Sequence, residues 1–90
     1  DRTMADAILA LYRSATDVGN DWGPGIDRID APGLLIQSML DPFRSPGRVQ
    51  ALADRTGAEI ATLAEAGHFW MLDEPEASAQ LITDFWESIP

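Results

Sequence analysis

His68 is the only histidine in the chain, and it stands between Gly67 and the aromatic pair Phe69 and Trp70. An imidazole on a turn between regular elements can reach a cleft and exchange protons near neutral pH, which is what a general base must do. Fifteen carboxylates are available to orient it. Asp41 closes the apolar run that starts at Leu34 and stands directly before Pro42. A carboxylate that accepts from one ring nitrogen leaves the other nitrogen free to take a proton, the acid-orients-base arrangement of nucleophilic hydrolases. Each residue also has an ordinary reading, a hydrogen-bonded structural histidine for His68 and a turn residue before proline for Asp41.

Whether the two meet depends on the elements that carry them. Met4, Ile8, Leu11, Tyr12 and Ala15 recur at helical spacing and predict a helix from Thr3 to Ala15, with Thr3 as cap and Asp6 in capping-box position. The glycines and proline of residues 20–25 predict a loop, with Trp22 in it as a packing anchor or a substrate contact. Residues 34–40 are nearly continuously apolar between Pro-Gly and Asp-Pro, the pattern of a strand buried on both faces of a parallel sheet. Ser45 and Pro46 open a second helix and Gly57 stops it. Residues 59–63 predict a second strand, residues 64–75 a loop, and Pro75 to Ser88 a last helix with Leu81, Ile82, Phe85, Trp86 and Ile89 on its apolar face.

Helix, strand, helix, strand, helix is an α/β order, and two strands joined by a helix form a parallel βαβ unit. Ligands of such sheets bind beyond the carboxyl ends of the strands. The loops leaving those ends carry Asp41 and His68, side by side if the strands are neighbours. Two parallel strands that are apolar on both faces need cover and more strands than these. The sequence therefore predicts one end of a larger α/β domain, the remaining strands coming from another chain or a preceding N-terminal part.

Composition narrows the partners. Fifteen acidic residues against six arginines and no lysine give a net charge of −9, which argues against nucleic acid or an anionic membrane surface. No apolar run approaches the length of a membrane span and no leader pattern is visible, so a soluble, cytoplasmic protein is expected. Without cysteine, and with one histidine, no metal site is expected.

Leu34 to Pro42 resembles the late strand of α/β-hydrolases that runs into the acid of the catalytic triad; Ser38 stands where that family usually has a glycine, three positions before Asp41. Ala66 to Glu76 is similar to the family's catalytic-histidine segment, a Gly-His-aromatic turn that enters the last helix through an acidic-Pro pair. Ile82 to Trp86 and Leu11 to Ala15 resemble the last helix and the helix before the acid strand, so the resemblance covers essentially the whole chain. It implies the C-terminal part of one hydrolase domain, with residues 1–30 leading out of the cap region and residues 31–90 forming the end of the core.

The resemblance further implies His68 as general base, Asp41 as its orienting acid, Phe69 as a substrate-contacting wall, a small-molecule ester or similar acyl substrate, and no cofactor. Chain order agrees, since the family runs nucleophile, acid, histidine. No Gly-x-Ser-x-Gly elbow is present: Ser14, Ser38, Ser45, Ser78 and Ser88 all lack its glycine frame. The nucleophile is then expected from the N-terminal portion of the hydrolase, and the 90 residues alone are expected to be inactive. Related alternatives are an epoxide or haloalkane hydrolase with an aspartate at the elbow, or a non-catalytic binding module of the same fold. Asp17 and Asp21 are the alternative acids, because some members place the acid after an earlier strand.

Overall fold

A computed structural model describes residues 1–90. Its order is α1 (Arg2–Ser14), α2 (Val18–Ile26), β1 (Leu34–Ser38), α3 (Pro46–Thr56), β2 (Glu59–Leu63), α4 (Trp70–Asp73) and α5 (Pro75–Ser88). The chain is α/β, and its sheet is the parallel pair β1–β2 in the register Leu34↔Glu59 through Ser38↔Leu63. Gln37 and Thr62 face each other in that register, and the Gln37 amide donates to the Thr62 hydroxyl at 3.2 Å. The sheet is anchored at its start by the Glu59 N–H, which donates to the Gly33 carbonyl. A side chain at Gly33 would press on Ala58, its Cβ only 3.2 Å from that of Ala58.

The βαβ core follows the local signals. Pro46 occupies the first turn of α3, and Gly57 ends the helix at φ 73°, the left-handed conformation that glycine adopts without strain. Ser45 sits at the N-cap, but its hydroxyl does not cap; its carbonyl accepts from Arg48 and Val49 instead. β1 stops at Ser38, not Leu40. Its partner ends at Leu63, and the Asp41 N–H turns back to the Ser38 carbonyl, so Met39 and Leu40 belong to a turn despite their apolarity.

Three expectations are corrected nearer the termini. The cap of α1 is Asp1, whose Oδ1 accepts from the Met4 N–H at 2.7 Å; it starts the helix ahead of Thr3. Residues 20–25 are not a loop but lie within α2. Val18, Trp22 and Ile26, four residues apart, form one stripe, and the glycines of this helix all keep ordinary negative φ. Pro24 sits in the last turn, and with three glycines it makes α2 an intrinsically weak helix. Within residues 64–75 the chain makes the single turn α4, bonded from Leu72 and Asp73 back to the Phe69 carbonyl. Ser78, buried, joins α4 to α5 by donating to the carbonyls of Glu74 and Trp70.

Five residues are buried: Ser38, Ala53, Leu63, Ala66 and Ser78. All cluster where the sheet meets α3, α5 and the loops beyond the strands. β1 is half-buried from Leu34 to Gln37 and buried only at Ser38. Trp86, expected on the inner face of α5, is exposed, as are Met4, Leu11 and Tyr12 of α1. The accessible surface is 7067 Å², whereas a compact domain of this mass exposes about 5,200 Å². The radius of gyration is 16.0 Å, against about 12 Å for a compact chain of this length. No helix is long and apolar enough to cross a membrane.

Candidate active site

The parallel register brings the carboxyl ends of β1 and β2 level, and two backbone bonds continue the pairing past them. The Met39 N–H donates to the Leu63 carbonyl and the Leu40 N–H to the Ala66 carbonyl, both at 3.0 Å. The loop carrying Asp41 is thereby tied to the loop carrying His68. Both N–H groups are satisfied by these bonds, although Met39 and Leu40 themselves are exposed.

Asp41 is fixed twice. Its Oδ1 accepts from the Phe43 N–H at 2.8 Å, a side-chain turn around Pro42, and its Oδ2 lies 3.0 Å from His68 Nδ1. These contacts hold the Asp41 carboxyl below its ordinary value, the Phe43 N–H first and the His68 hydrogen bond second, against a smaller desolvation effect. An ionised carboxylate only accepts, so Nδ1 carries the proton in this pair and Nε2 of neutral His68 presents its lone pair. Nε2 has no partner within the chain. The Asp41 side chain is 18 % exposed and that of His68 56 %, so the acid is sheltered while the imidazole reaches outward.

The His68 ring is held between two aromatic edges. Phe43 lies 5.5 Å away at 71° and Phe69 5.2 Å away at 81°, centroid to centroid. Its backbone is held from the other side: the Gly67 N–H donates to Asp73 Oδ2 at 2.8 Å. A Cβ on Gly67 would lie 3.2 Å from that same oxygen, so glycine there lets α4 fold back against the histidine turn.

His68 and Asp41 open onto a cleft of about 280 Å³ whose other lining residues include Ile36, Phe43, Arg44, Val49 and Trp70. Phe69, expected as a substrate wall, abuts the imidazole but is absent from that lining. Phe43, 80 % exposed, takes that place. Phe43 was findable: an Asp before proline that accepts from the residue two positions on brings that residue beside the carboxylate. The roles of Arg44 and Asp73 rest on through-space geometry that local sequence does not report.

The alternative acids are not brought to the site. Asp17 accepts from the Asn20 side chain at 2.7 Å. Asp21 and Trp22 line a separate apolar depression with Leu11 and Val18, and Trp22 is 74 % exposed. No three His, Asp or Glu side chains converge in a group able to hold a metal ion. Compared with known proteins, the chain matches no family model, no curated protein and no solved structure.

Proposed function

We propose that the chain is the C-terminal part of an α/β-hydrolase, supplying the general base and its orienting acid for hydrolysis of an ester or similar acyl bond. The observation that carries this reading is the 3.0 Å contact between His68 Nδ1 and Asp41 Oδ2 at the carboxyl ends of adjacent parallel strands, both residues lining an open cleft. The two strands have one unpaired edge each, and the surplus exposed surface is about twice the roughly 800 Å² that a standard protein–protein interface removes from one partner. Both features fit a sheet continued by strands from an N-terminal portion, which also brings the nucleophile. Residues 1–30 lead out of the cap and residues 31–90 close the core.

In this mechanism a serine hydroxyl from that portion attacks the acyl carbon as Nε2 of His68 takes its proton. The imidazolium is held beside Asp41, whose carboxylate stabilises the positive charge and fixes the ring through Nδ1–H. Nε2–H then protonates the leaving alkoxide as the ester C–O bond breaks. Water repeats the sequence on the acyl-enzyme and regenerates the serine. No group beyond water is consumed.

Fluorophosphonate labelling of the full polypeptide that carries these residues tests the reading. One serine outside residues 1–90 is labelled, and His68→Ala removes labelling and lowers kcat by roughly 10³-fold or more with the circular dichroism unchanged. Undiminished labelling in His68→Ala, or a label on one of the five serines of this segment, contradicts it. His68-dependent hydrolysis of an epoxide or haloalkane without labelling would place an aspartate at the elbow instead.

A further inference from the structure

The cleft below His68 contains one cation. Arg44 is the only one of the six arginines that is half-buried; the other five lie on the open surface. Within residues 1–90 it has no carboxylate partner, for the ion pairs there are Arg55 with Asp27 and His68 with Asp41. With fifteen acidic residues available this is not for want of carboxylates. Its near neighbour Asp41 is already engaged by the Phe43 N–H and by His68. The same turn fixes Arg44 in place, since its N–H donates to the Asp41 carbonyl at 3.2 Å. A partly desolvated guanidinium without a counter-charge carries a cost that an incoming anion removes.

We propose that Arg44 is a specificity-determining residue that binds a carboxylate on the substrate, so that the site acts on acyl compounds carrying one anionic group a few atoms from the scissile bond. The inference rests on the hydrolase reading and names its substrate class. The planar guanidinium fork matches a carboxylate in bidentate geometry. One guanidinium balances one negative charge, and a chain of net charge −9 with Asp41 in the same cleft disfavours a phosphate dianion. Ile36, Val49, Phe43 and Trp70 supply apolar contact for a short carbon chain between the two groups. A cleft of about 280 Å³ suits a small acid half-ester better than a long fatty acyl chain.

Steady-state hydrolysis of two p-nitrophenyl esters of equal chain length by the assembled hydrolase tests this: the hemiglutarate, a monoanion, and the valerate, which is neutral. The hemiglutarate is favoured in kcat/KM by about 10- to 100-fold, the worth of one charge-assisted hydrogen-bonded pair. Arg44→Gln collapses that ratio towards one, chiefly through KM of the anionic ester, and Arg44→Lys restores part of it. A wild-type protein without the preference, or an Arg44→Gln variant that lowers both esters equally, overturns the role given to Arg44. Failure to turn over either ester above the level of His68→Ala is a different result, and overturns the hydrolase reading together with the proposal.

Discussion

Residues 1–22 are exposed throughout, whereas all five buried residues lie between Ser38 and Ser78. The difference is not one of helix quality or apolarity. α1 has an aspartate cap and carries Met4, Ile8, Leu11 and Tyr12, yet these side chains meet no cover. Beyond the strands, by contrast, small residues and hydrogen bonds do the holding: Ala66 is fully buried, its carbonyl receives Leu40, and Asp73 receives Gly67. One region is positioned by its own chain, and the other presents an apolar stripe that nothing in these 90 residues buries. Residues that must hold a proton-transfer geometry belong in the first kind of region.

The largest effect expected from breaking the tied region is chemical. Under the proposed function, Asp41→Asn keeps the size of the side chain but lets it donate, which disfavours Nδ1–H and leaves the proton on the wrong nitrogen. A fall in kcat of about 10³- to 10⁴-fold is expected, with little change in KM. A mild effect would move the orienting acid to another residue.

A pair of core truncations sharpens the contrast in stability. Leu63→Ala, at a buried position where β2 ends, costs about 2–5 kcal/mol. Leu11→Ala on the bare face of α1 changes the unfolding free energy of the 90-residue chain, read from its urea transition, by less than about 0.5 kcal/mol. In the assembled protein Leu11→Ala becomes more costly if the N-terminal portion covers that face. Equal costs for the two truncations in the chain alone would show that α1 is packed after all.

Acid contributes the smallest of these effects. The Asp41 carboxyl is lowered from 3.8 by the Phe43 N–H and His68, and that of Asp27 by its hydrogen bond to Arg55. A depressed folded value means that the stability from these contacts is complete above the unfolded value and is lost as pH falls through the lower folded one. Urea midpoints taken downward from about pH 5 decline less steeply in Asp41→Asn than in the wild type. Parallel curves would remove Asp41 from the acid response. Asp27 and Arg55 are well exposed, so Asp27→Asn shifts the curve only slightly.

The sheet and its crossover were legible because each boundary carries a strong local signal: Pro46 at the start of α3, Gly57 in the left-handed conformation at its end, and Pro75 opening α5. α2 was not, since glycine and proline at 19, 23, 24 and 25 are loop residues by local preference, and the helical stripe of Val18, Trp22 and Ile26 is only three residues long. The end of β1 was misplaced for a related reason. Met39 and Leu40 continue the apolar run, but strand length is set by the partner, which ends at Leu63. The meeting of His68 with Asp41 followed from a topological rule about the ends of parallel strands. Phe43, Arg44 and Asp73 enter through turn geometry, and no periodicity announces them.

The presence of a single histidine makes the central claim open to direct observation. Nitrogen-15 NMR of the histidine-labelled protein, recorded above the titration of the ring, distinguishes the two tautomers of His68. The account predicts a protonated, hydrogen-bonded Nδ1 and an unprotonated Nε2 in the wild type, with the proton moving to Nε2 in Asp41→Ala. An Nε2–H tautomer in the wild type, unaltered by Asp41→Ala, would show that Asp41 does not orient the base.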